Sequence, residues 1–266
     1  MVYASYCFRA LPGIFSITAD PVLTRAIHAQ QADPCFRRKG QGHARQRARG
    51  MARTRPSQRR RQRVLSDDEL KAVWRATETS QSAFGCLMRF LLLTATRRTE
   101  AAAMRRSEVA GDDWIIPQER YKTGLELVIP LSPAAQAVLA AVPRIGKSGF
   151  VFTTDGKRPI SGFSKFKRKF DAKVLAELRT ANPEAELPRW TLHDLRRTAR
   201  SLMSRAGVSS DHAERCLGHV LPGIRGTYDR HEYLSEKRCA FETLATLIQR
   251  IVNPTDNVVC AFLEPR

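Results

Sequence analysis

The chain has 266 residues, 42% of them hydrophobic, which is enough for one large domain or two small ones with a buried core. Lysine and arginine total 45 against 26 acidic residues, a net charge of +19 with a pI near 10.5, and such an excess points to a polyanionic partner. The six cysteines form no CxxC pair and no tight Cys/His cluster, and no apolar run reaches the roughly 18–20 residues of a spanning helix, so a zinc site, a disulfide framework and a helical membrane anchor are all excluded as expectations. The expected setting is the reducing cytoplasm. The apolar LPGIFSITA near the start is short and lacks the basic lead of a signal peptide.

Charge divides the chain. Residues 1–63 carry 14 Lys/Arg and 2 Asp/Glu, whereas the remainder carries 31 and 24, so a binding groove in the second part must come from local placement. Residues 1–63 show no sustained period and end in RQRARGMARTRPSQRRRQR, a basic low-complexity run expected to be disordered. From residue 64 the pattern changes. Ser66 followed by Asp67, Asp68 and Glu69 predicts a capped helix start, with Leu70, Val73 and Trp74 on one face. Two further helices are expected over Ser82–Leu93 and Glu100–Arg106, separated by a polar turn at 94–98. Trp114–Ile116 and Leu125–Leu131 predict two short strands joined by a turn containing Tyr121, Lys122, Thr123 and Gly124.

Pro133 opens a helix to about Val142, Phe150–Phe152 predicts a small strand, and Ser164–Arg179 a helix with a basic face. Thr191 caps a helix through Arg205, Ser209 or Ser210 the next to Leu217, and Glu236–Val252 forms a last amphipathic helix whose stripe Ala240, Phe241, Leu244, Leu247, Ile248 and Ile251 packs on the domain's own core. The expected class is α+β, mainly helical, with a small antiparallel sheet. Residues 64–252 are expected to form that domain, and 253–266 a tail.

Several residues read as chemistry. A phosphodiester is anionic and repels nucleophiles, so cleavage without a metal needs positive charge on its non-bridging oxygens, which forked guanidiniums supply. His193 and Arg196, at i and i+3 of a helix, share a face. Arg197 points about 100° away and reads as structural. Glu100 reads as a structural partner of nearby polar or basic groups, and Cys216 as core.

The heptapeptide Thr94-Ala95-Thr96-Arg97-Arg98-Thr99-Glu100 resembles the TGxRxxE box of the tyrosine recombinases, or phage integrases. HxxR at 193–196, LGH at 217–219 and GTYDRH around Tyr228 follow in that family's order, and YKTGLELVIPLS resembles the hairpin that delivers its lysine. The resemblance covers about residues 63–252. It implies a catalytic domain acting on double-stranded DNA, self-association on that DNA, and no cofactor or metal. Tyr228 would be the nucleophile that forms a 3′-phosphotyrosyl link, and Lys122 would protonate the leaving 5′ oxygen. Arg97 and Arg196 would hold the non-bridging phosphate oxygens, His193 would help handle the tyrosine proton, and His219 would hydrogen-bond a phosphate oxygen.

Two departures accompany the resemblance. Ala95 stands where the family has glycine, a strained choice if that position needs positive φ. The basic segment 1–63 does not read as the helical core-binding domain that usually precedes the catalytic one, so that domain is expected to be absent or replaced. A DNA-binding remnant unable to recombine, and a type IB topoisomerase, are the alternatives at this stage.

Overall fold

The structure is a computed structural model that describes residues 62–79, 82–121, 124–219 and 231–254. These lie in one compact unit, Gln62–Arg266. The helices are α1 (Asp67–Glu78), α2 (Ala83–Thr94), α3 (Arg98–Ala102), α4 (Pro133–Ala141), α5 (Phe163–Ala181), α6 (Leu192–Arg205), α7 (Ser210–Cys216) and α8 (Leu234–Val252). Strands β1 (Val109–Ala110), β2 (Asp113–Ile116) and β3 (Leu127–Pro130) form one antiparallel sheet in that order. The class is α+β and mainly helical.

Local chemistry sets most helix starts. Ser66 and Glu69 form a reciprocal capping box on α1, Ser82 accepts from the Gly85 N–H at the head of α2, and Ser132 caps α4 with Pro133 at its first position. Thr191 and Asp194 box α6, and Ser209 caps α7. Each satisfies backbone donors that a helix start otherwise leaves unpaired.

The core is built around α2, buried nearly all round, which packs on α1, α4, α6 and α8. Phe90 of α2 meets Trp114 of β2 and Phe152, with ring centroids 5.4 and 5.5 Å apart. On β2, Trp114 and Ile116 face inward; they pair with Ile129 and Leu127. Helix α8 closes the domain with Ala240, Phe241, Leu244, Ala245 and Ile248 buried, while Leu247 and Ile251 only border that core. The Thr198 hydroxyl accepts from the Leu65 N–H at 3.0 Å, pinning the entry to α1 against α6.

Three expectations change. The helix expected over Glu100–Arg106 is five residues long and starts earlier, because Met104 O accepts from the Val151 N–H and Arg105 bridges to Phe150, drawing the chain out of helical geometry. Phe150–Phe152 is correspondingly an isolated bridge and not a strand. A third strand, Val109–Ala110, pairs with β2 through a tight turn at Gly111; two residues are too few for alternation to reveal.

Candidate active site

The turn between α2 and α3 presents Arg97. Ala95 adopts the left-handed region, φ 51°, ψ 22°, and is fully buried. Arg97 then caps α3, and Glu100 one turn on accepts from its backbone N–H at 3.1 Å and from Nη1 at 2.7 Å. The Arg97 guanidinium lies over the Tyr121 ring, 5.3 Å from its centroid. A local box, a buried carboxylate and a ring thus fix one half-exposed cation.

Helix α6 presents the second. Arg196 is 5% exposed, and its guanidinium donates to Ala95 O at 2.5 Å and to Leu217 O at 2.8 Å. Its Nη2 also lies 3.1 Å from His219 Nε2. Burial, and then the charge of Arg97, push the Arg196 pKa down to about 10. It stays protonated at neutral pH, but as one of two mutually repelling cations.

His193, on the exposed side of α6, senses the same field. Partial withdrawal from water lowers its pKa, the charges of Arg197, Arg196 and Arg97 lower it further, and Asp194 only partly offsets them. The ring is therefore neutral at pH 7. Asp194 is fully buried and accepts from Thr191 N–H and Oγ1 and from Arg197. Arg197 thus serves the carboxylate that caps the helix.

Beyond α7 the chain reverses through Gly218, φ +64°, and His219 N–H donates to Glu214 O at 3.0 Å. This folds the His219 ring back over the helix end. The structure brings Arg97, Arg196, His193 and His219 to one region from α3, α6 and the turn after α7. Lys122 and Tyr228 lie outside the described residues. No group of three or more His, Cys, Asp or Glu side chains is placed to hold a metal ion among the described residues. No helix there is long and apolar enough to cross a membrane.

A profile of the Phage integrase family matches residues 63–234. This chain belongs to the phage integrase family. Curated relatives are the prophage integrases IntA and IntZ of Escherichia coli strain K12. IntA is 28% identical over 193 residues, covering 70% of this chain and 44% of its own; IntZ is 29% identical over 197, covering 71% and 46%. The chain thus spans under half the length of either. Among solved structures it is similar to a lambda integrase dimer bound to a COC′ core site, with TM-score 0.47 and 20% identity, covering 70% of this chain and 52% of that one. XerA recombinase gives TM-score 0.47 and 15% identity, covering 73% and 59%.

The phage integrase match spans all six expected site residues. Three side chains around the site went unassigned in the sequence. Tyr121, 5% exposed, donates to Gly218 O at 2.6 Å while its ring supports Arg97, so the residue before Lys122 ties two distant boxes together. Glu214 holds His219 Nδ1 at 2.5 Å and Arg200 Nε at 2.9 Å. Lys237, 6% exposed, donates to Val128 O at 2.9 Å, pins α8 to β3 and lines a cleft together with Tyr121, Gly218 and His219. Only Tyr121 carried a sequence signal, its place beside the expected lysine.

Proposed function

We propose that this chain is a site-specific DNA recombinase that cleaves and rejoins double-stranded DNA through a 3′-phosphotyrosyl intermediate, with residues 64–252 as its catalytic domain. It works in the cytoplasm as an assembly of several copies on DNA, because strand exchange needs two duplexes. The observation that carries the reading is the convergence of Arg97 and Arg196. Arg196 is buried and its charge is disfavoured by Arg97, so a phosphate shared by both guanidiniums would offset the repulsion between them.

In this reading the Tyr228 oxygen attacks phosphorus and gives its proton to neutral His193, while the bond from phosphorus to the 5′ oxygen breaks. Lys122 protonates that oxygen, and Arg97 and Arg196 stabilise the charge on the non-bridging oxygens. Ligation reverses the steps, with a new 5′ hydroxyl attacking the phosphotyrosine. The basic cleft lined by Arg98, Lys167, Arg168 and Arg189 supports contact with the flanking backbone.

The test is a nicked duplex carrying the attachment sequence, which traps the enzyme once the short fragment bearing the freed 5′ hydroxyl diffuses away. A covalent adduct formed in chelator, on that sequence and not on unrelated duplex, is the expected result. Binding without adduct indicates a remnant. Relaxation of any supercoiled plasmid indicates topoisomerase-like activity.

A further inference from the structure

The hydrogen-bond pattern around His219 constrains where its proton sits. A guanidinium nitrogen can only donate, and Arg196 Nη2 lies 3.1 Å from His219 Nε2. Nε2 must therefore accept, and in a neutral ring the proton belongs on Nδ1. On that side Glu214 Oε2 lies at 2.5 Å and supplies the acceptor that an Nδ1–H donor needs. A proton on Nε2 would instead aim one N–H at another.

Glu214 is itself held. Its other oxygen accepts from Arg200 Nε at 2.9 Å, and Arg200 also donates to Ser204 and Ser210 hydroxyls, tying α6 to α7. Burial alone would raise the Glu214 pKa, but the hydrogen bonds from His219 and Arg200 prevail and hold it below the ordinary carboxylate value, so it is ionised at neutral pH. The approach depends on the reversal at Gly218, since residues five apart on an uninterrupted helix point in different directions.

We infer that Glu214 is a positioning residue: its carboxylate keeps the proton of His219 on Nδ1, so that Nε2 acts as the third acceptor holding Arg196 in place, beside Ala95 O and Leu217 O. Glu214 acts through His219 on Arg196 and touches no substrate. While Nε2 accepts from Arg196 it cannot donate to a phosphate oxygen; that donation requires the ring to give up the Arg196 contact and carry hydrogen on both nitrogens, with the Glu214 carboxylate beside Nδ1 to balance the charge. The consequence for catalysis rests on the recombinase reading; the proton placement does not.

The test labels the full chain with 15N-histidine and reads which ring nitrogens of His219 carry hydrogen at about pH 8, above the ordinary imidazole range. The His219→Gln variant assigns the signal. Wild type is expected to show Nδ1–H, and Glu214→Gln, whose amide can donate, a shift toward Nε2–H. Nε2–H in the wild type, or an unchanged tautomer in Glu214→Gln, overturns the inference. On the nicked duplex, Glu214→Gln should slow adduct formation roughly tenfold or more with DNA affinity little changed, as for other partners that orient a histidine; a wild-type rate removes the positioning role. Absence of adduct with wild-type protein defeats the recombinase reading and leaves the ring signal to decide the tautomer.

Discussion

Ala95 holds a left-handed backbone and thereby turns its carbonyl oxygen onto Arg196 Nη1, 2.5 Å away and 101 residues along the chain. The strain at residue 95 and the aim of a buried guanidinium are one arrangement. Glycine would adopt the same turn freely, and alanine occupies it at a cost of about 1–2 kcal/mol.

Ala95→Gly is therefore expected to leave stability within about 0.5 kcal/mol of wild type. The strain recovered roughly offsets about 0.8 kcal/mol of lost methyl burial and the entropy of an unfolded glycine. Ala199→Gly, equally buried but inside α6, should cost about 2 kcal/mol, because methyl loss and helix propensity act in the same direction. Urea denaturation compares the two. Equal losses would mean that residue 95 is not strained.

Tyr121 and Gly218 should behave as a coupled pair. A Cβ at Gly218 would lie 2.0 Å from the Tyr121 hydroxyl, on a backbone with φ +64°. Gly218→Ala is expected to cost about 3 kcal/mol or more, and Tyr121→Phe about 1–3 kcal/mol for the lost bond to Gly218 O. The double variant should be less damaged than the sum by about 0.5 kcal/mol or more, since removing the hydroxyl removes the closest clash. Additive losses in denaturation would contradict this packing.

Asp194 gives stability a defined pH dependence. Burial would raise its pKa, but hydrogen bonds from Thr191 and Arg197 more than offset that and lower it. A carboxyl depressed on folding contributes stability above its unfolded value, about 3.9, and loses it as pH falls through the folded value. Asp194→Asn should therefore be less stable by about 2–4 kcal/mol at neutral pH. It should also lose less than wild type between about pH 5 and pH 3. Parallel curves from urea midpoints would remove this role.

For His193 the sign runs the other way in activity. A base must be neutral, and a lowered pKa keeps it so; the acid limb of adduct formation should thus fall below the ordinary value of about 6.5. Arg197→Gln removes one lowering charge and frees the Asp194 carboxylate, both of which move the limb upward. An unmoved limb would point to another base.

The sequence disclosed what local chemistry controls. Ser66, Ser82, Pro133 and Thr191 each announce a helix start because a cap is a contact within one turn. The order of the boxes identified the four described candidates, Arg97, His193, Arg196 and His219. What it withheld depends on distant partners. Nothing near Met104 signals that Val151 will take its carbonyl and shorten α3. Glu214 and His219 are five apart, a spacing that becomes a contact only because Gly218 reverses the chain. Buried Lys237 reads as an exposed helix residue until Val128 is placed above it.

The most direct test of the central claim is to digest the trapped adduct with trypsin and locate the nucleotide by mass spectrometry. The account predicts that it sits on Tyr228 within the peptide Gly226–Arg230, and that Tyr228→Phe binds the same duplex with no adduct. A nucleotide on any other residue, or an undiminished adduct from Tyr228→Phe, would contradict it.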